Sequence, residues 1–99
     1  MAKVEALSEA EVTRAVEKLA GWSVRDGKLH AEFKFDDFVA AFAFMTKVAL
    51  TAQCEGHHPE WSNVYNQVSI DLVTHDAGDA ISAKDVTLAG KINELRAAA

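Results

Sequence analysis

Two histidines, His57 and His58, stand side by side ahead of Pro59, the chain's only proline, in the stretch EGHHPEWSNVYN. A third, His75, closes LVTHD, so three of the four histidines fall between residues 57 and 75. Imidazole has an unperturbed pKa of about 6.5, which lets it give or take a proton near neutrality. Gathered in one place, three such rings suit general acid and base chemistry. Zinc is a competing use, with His57, His58, His75 and either Cys54 or Glu55 as ligands. The spacing argues against it: there is no HExxH, no CxxC and no histidine pair at i, i+4, and adjacent histidines seldom reach one metal together. Nucleophilic catalysis by Cys54 is weaker still, because that residue lies in an apolar run with no evident orienting group. In the plainest alternative, the histidines only hydrogen-bond a loop.

Composition narrows the classes. Ninety-nine residues suffice for one domain, here taken as 1–99, and a chain with 49% hydrophobic and 25% charged residues is expected to fold as an ordinary globular protein. The net charge of −5 repels phosphate backbones and anionic membranes, which argues against direct nucleic-acid binding. A single cysteine makes no internal disulfide, and the opening MAKVEALSEAEV is charged where a signal peptide is apolar, so a cytoplasmic protein is expected.

The elements that must position the histidines are read from spacing. Ser8 and Glu11 have capping-box spacing and Leu7 can staple to Val12, starting a helix from Glu9 to about Leu19, with Gly21 just beyond. Trp22 and Val24 then point one way, Asp26-Gly27 makes a tight turn, and Leu29, Ala31 and Phe33 alternate with polar residues. His30 shares the polar parity and is expected to be a solvated surface residue. Asp36 is the expected cap of a second helix that Glu55-Gly56 ends. Between Phe38 and Ala52 this helix has one charge, Lys47, so its apolar surface is wider than one sheet can cover. The run is too short and too closely flanked by charge for a membrane span of about 20 residues. An oligomer interface is inferred instead, with a central core helix in a monomer as the alternative. Trp61–Tyr65 and Val68–Thr74 read as strands meeting at Asn66-Gln67, with Val68, Ile70 and Leu72 on one face. Ser82 and Asp85 form a weak capping box for a last helix presenting Leu88, Ala89, Ile92 and Leu95, whose closing alanines are expected to fray. The order αββαββα with hairpin connections predicts an α+β fold, a four-stranded antiparallel sheet with three helices packed on one face.

HHPEWSNVYNQVSIDLVTH, followed by a short loop, a serine cap and the DVTLA helix, resembles the pterin-4a-carbinolamine dehydratase family. The match runs through the histidine pair, Pro59, Trp61, Asn63 to Asn66, Val68, Leu72, Thr74-His75 and Asp85. The resemblance implies dehydration of 4a-hydroxytetrahydrobiopterin, or a related pterin, to the quinonoid dihydropterin, in pterin recycling beside an aromatic amino acid hydroxylase such as phenylalanine 4-monooxygenase. It implies no metal and no cofactor. His57, His58 and His75 match the family's active-site histidines, with His57 and His75 flanking the 4a-hydroxyl and His58 positioning the pterin near N5. Gln53, Pro59, Thr74 and Asp85 are assigned to the same pocket, and Trp61 either walls it or packs. Gln53 replaces a glutamate that many members carry, and the loop 76–84 is one residue longer. The family also implies homodimers or homotetramers, and in some members a non-catalytic role as a transcriptional dimerisation cofactor or assembly chaperone.

Overall fold

The computed structural model describes residues 4–98. Its elements are α1 (Glu9–Glu17), β1 (Ser23–Arg25), β2 (Lys28–Lys34), α2 (Phe38–Glu55), β3 (Glu60–Val64), β4 (Gln67–Leu72), a short 3-10 turn over His75–Ala77, and α3 (Ala83–Ala98). All strand pairs are antiparallel, in the order β1-β2-β4-β3. This is the expected α+β fold.

Local signals account for most element ends. The Ser8 hydroxyl accepts from the Glu11 N–H at 3.2 Å while the Glu11 carboxylate accepts from the Ser8 N–H at 2.8 Å, a complete capping box. The helix closes at Glu17, two residues before the expected end, with Lys18 as its cap. Asp26 and Gly27, with φ of 52° and 75°, form the hairpin turn between β1 and β2. Asp37, not Asp36, caps α2: its carboxylate accepts from the Ala40 N–H at 2.8 Å. Two adjacent aspartates offered the same chemistry, and the one with extended backbone next to the helix takes the role. The β3–β4 turn falls on Tyr65-Asn66, one residue earlier than expected, because Val64 pairs with Gln67. Helix α3 stays regular to Ala98, so Ala97 and Ala98 do not fray, and Ala99 lies outside the described residues.

The core lies between one sheet face and the helices. Leu29, Ala31, Val68, Ile70 and Leu72 from the sheet meet Ala41, Phe44, Val48 and Ala52 of α2 and Leu88, Ala89 and Ile92 of α3, all fully or nearly fully buried. Trp22 joins them and donates its indole N–H to Asn93 Oδ1 at 2.9 Å. Val24, expected to share its burial, is exposed because β1 is a three-residue edge strand. By length and a mean hydropathy of 1.2, α2 qualifies as a membrane span, yet its Ala41–Phe44–Val48–Ala52 stripe is built into this core. Its other side leaves Phe38, Val39, Phe42 and Leu50 exposed.

His30 departs from expectation. It lies on the polar sheet face as its parity requires, but is only 8% exposed. Its Nδ1 meets Asp71 at 2.8 Å across the β2–β4 register, and its Nε2 meets Glu32 at 3.0 Å. Glu32 and then Asp71 raise its pKa above the ordinary 6.5. A folded-state value above the unfolded one stabilises the fold fully below the unfolded pKa, and the gain is lost as pH rises through the folded value. Replacing His30 with Gln is therefore expected to cost about 1 kcal/mol at pH 6 and distinctly less at pH 9, measured by urea unfolding. An equal loss at both pH values would contradict this ion network.

Candidate active site

One end of the sheet collects every candidate residue. Helix α2 stops because Gly56 takes the left-handed conformation, φ 65°, with its N–H on Gln53 O at 3.2 Å and the His57 N–H on Ala52 O at 3.1 Å. This paired closure sends the chain off the helix axis at the first histidine. Pro59 then leads into β3, whose first residue, Glu60, pairs with Asp71 near the end of β4. The end of α2, the start of β3, the end of β4 and the start of α3 thus enclose one cavity of about 420 Å3, lined by His57, His58, Pro59, Glu60, Thr74, His75 and Lys84 among others. That volume lies within the range of about 300 to 1,000 Å3 usual for small-molecule sites. A smaller cavity of about 230 Å3, whose walls include Glu32, Ser62, Val64 and Ser69 on the outer sheet face, has no histidine among its lining residues.

Each of the three rings has one nitrogen tied to an internal acceptor. His57 Nε2 lies 2.5 Å from Asp85 Oδ1. The Asp85 carboxylate is 0% exposed and accepts through Oδ2 from the Thr74 hydroxyl at 2.8 Å and the Ser82 N–H at 2.9 Å. Since the Thr74 proton is spent on Asp85, the Ser82 hydroxyl donates to Thr74 Oγ1 at 2.7 Å and itself accepts from the Lys84 N–H at 3.2 Å. His58 donates Nε2–H to Gln53 Oε1 at 2.9 Å. His75 Nδ1 meets Asp79 at 2.6 Å, and this carboxylate raises the pKa of the ring, with a smaller contribution from Glu60. His75 Nε2 is 3.7 Å from Glu60 Oε2, outside hydrogen-bond reach, while Glu60 Oε1 takes Lys28 Nζ at 2.5 Å. Nδ1 of His57, Nδ1 of His58 and Nε2 of His75 have no hydrogen-bond partner among the described residues. A ring held this way offers a lone pair when neutral and an N–H when protonated.

The residues read from sequence divide into two sets. His57, His58, Pro59, Thr74 and His75 line the cavity. Gln53 and Asp85 stand behind it and hold two of the rings, and Trp61 is half-buried against the core, away from the cavity lining. The register explains Trp61: it pairs with Ile70, whose side chain is buried. Glu60, Lys84, Ser82 and Asp79 were not among the expected site residues; Ser82 was read only as a helix cap, and the i, i+4 spacing of His75 and Asp79 was a further readable signal. Among the described residues no three His, Cys, Asp or Glu side chains form a metal-holding group.

A small α+β domain that brings three imidazoles to one cavity, His57 and His75 held by carboxylates and His58 by an amide, defines the class of protein, and the comparisons with known proteins give that class a family. Residues 5–95 match the model for pterin 4 alpha carbinolamine dehydratase, and the chain belongs to that family. A Solibacter usitatus protein, provisionally named pterin-4-alpha-carbinolamine dehydratase, is 55% identical over 91 residues, covering 92% of this chain and 95% of the relative. A Rhizorhabdus wittichii protein with the same provisional name is 49% identical over 94 residues, 93% of this chain and 96% of the relative. The crystal structure titled transcriptional coactivator/pterin dehydratase from Brucella melitensis superposes with a TM-score of 0.87 at 40% identity, covering 92% of this chain and 98% of that one.

The Asp85 network carries a stability cost when broken. Asp85→Ala strands three donors, the His57 ring, the Thr74 hydroxyl and the Ser82 N–H, and is expected to lose about 3 to 5 kcal/mol, and Thr74→Val about 1 to 3 kcal/mol, by denaturant unfolding. Wild-type stability in both variants would contradict the buried network.

Proposed function

We propose that the chain dehydrates a 4a-hydroxytetrahydropterin, 4a-hydroxytetrahydrobiopterin in the first instance, to the quinonoid dihydropterin and water. The observation that carries this reading is the convergence of His57, His58 and His75 on one cavity, each with one nitrogen tied and one free. The reaction needs a proton on the departing 4a-hydroxyl and removal of the proton on N5. The C4a–O bond breaks as the oxygen takes the proton of His75, the ring whose flanking carboxylates favour the charged form. The N5 lone pair forms the C4a–N5 double bond, and the N5 proton passes to a free imidazole nitrogen. His57, fixed by Asp85, faces the same hydroxyl and exchanges its proton, while His58 Nδ1 serves N5. Gln53 sets the tautomer of His58 as an acceptor and so does the positioning that a glutamate would do at that place. In the cell the product class fits recycling of a pterin spent by an aromatic amino acid hydroxylase such as phenylalanine 4-monooxygenase, in the cytoplasm.

A second reading, a binding module on the same fold, is favoured by one observation: the exposed side of α2. Phe38, Phe42 and Leu50 recur at intervals of four and eight residues with Val39 beside them, and Val39 and Leu50 are 75% and 66% exposed. Apolar surface of this kind marks an association face, and it supports a homodimer or homotetramer through α2. Catalysis and association use different sides of the molecule, so both readings hold together.

Alanine at His57, His58 or His75 is expected to lower the stopped-flow dehydration rate by about 10² to 10⁴ without unfolding the domain; folded variants with the wild-type rate would overturn the assignment. Light scattering after gel filtration should find an oligomer that Phe42→Glu with Leu50→Glu converts to a helical monomer, whereas a monomeric wild type would end the α2 proposal.

A further inference from the structure

We propose that Asp79 is a positioning residue, whose carboxylate holds Nδ1–H of His75 and so dedicates Nε2 to the substrate oxygen. The inference rests on the dehydratase reading for the identity of that oxygen, and on the loop alone for the geometry.

The loop is pinched at its base by Thr74 and Ala80, which exchange backbone hydrogen bonds of 2.9 and 3.3 Å. Five residues lie between them. His75 to Ala77 make the 3-10 turn, and the chain then needs two consecutive left-handed residues, Gly78 with φ 78° and Asp79 with φ 56°. Glycine meets that need without steric cost, while a residue with a Cβ meets it against a steric penalty. This chain keeps aspartate in the second position, and the geometry gives one return for it. Its carboxylate sits 2.6 Å from His75 Nδ1, its side chain has no other hydrogen-bond partner among the described residues, and it is 75% exposed, so neither packing nor a second ion pair accounts for it. Asp76, one residue after the histidine, makes no such bond.

Fixing Nδ1 as the donor leaves Nε2 as the nitrogen that turns to the cavity. The charged groups around the ring are Asp79 on its own loop, Glu60 from β3 and Lys28 from β2, whose ammonium opposes the two carboxylates, with Asp76 and Lys84 in the cavity wall. Asp79 makes the largest contribution to raising the pKa of His75. The ring therefore stays protonated to higher pH than a free imidazole, as an acid for the departing hydroxyl requires. Removing Asp79 lowers the pKa, and the acid form is lost at lower pH.

The test compares wild type, Asp79→Asn and Asp79→Gly, the last of which suits the left-handed backbone and so keeps the fold. The His75 Cε1–H resonance is titrated by NMR, and dehydration is followed against pH. In Asp79→Gly the His75 pKa is expected to fall toward its ordinary value, the alkaline limb of kcat to move to lower pH, and kcat to drop about two- to fivefold, as for an exposed charged pair, with KM unchanged. Asp79→Asn, which retains an acceptor without the charge, should fall between the two. A His75 titration identical in wild type and Asp79→Gly, or a shifted titration with an unmoved rate profile, would overturn the role of Asp79. The NMR titration uses no substrate, so it is independent of the dehydratase reading, which a wild-type chain without dehydratase activity would overturn separately.

Discussion

The buried carboxylate of Asp85 is the constraint around which this structure is arranged. A carboxylate taken wholly out of water costs several kcal/mol unless its lone pairs are met by good donors. Here the donors come from three separate places: the Thr74 hydroxyl after β4, the Ser82 N–H that begins α3, and the His57 ring that follows α2. None of these elements can shift without uncovering the charge. The group that caps α3 is therefore the group that aims a histidine, and stability and site geometry are one interaction.

From that anchor the site grades outward. His57 is half-buried on a fixed partner, whereas His58 and His75 are exposed, held only by Gln53 and Asp79. A cavity with one rigid wall and two rim histidines suits a planar substrate that enters from solvent and leaves as a slightly smaller product. Helix α2 serves both ends of this arrangement. Its buried stripe of Ala41, Phe44, Val48 and Ala52 locks it to the sheet, and its glycine-closed terminus delivers the two histidines.

Much of this was legible in the sequence where the signal is local. The Ser8–Glu11 box, the Asp26-Gly27 turn, the glycine end of α2 and the alternation of Val68, Ile70 and Leu72 each depend on residues near one another in the chain, and each has the expected structure. Parity placed His30 on the correct face but not at the correct depth, because its burial comes from Arg25, Glu32 and Asp71 on three different strands. For the same reason Asp85 was legible as a pocket residue and not as the hidden partner of His57, which lies 28 positions away. Its capping role, three residues from Ser82, was visible; its long-range bond was not. Trp61 needed the register with Ile70 to be placed against the core.

The central claim is that His57, His58 and His75 share one pterin. Titrating the protein with dihydrobiopterin while following the four histidine Cε1–H resonances by NMR tests it most directly. The account predicts that the signals of His57, His58 and His75 move together with one dissociation constant while His30, on the outer face of the sheet, stays still. Binding that moves His30, or that leaves any of the other three unmoved, would contradict it.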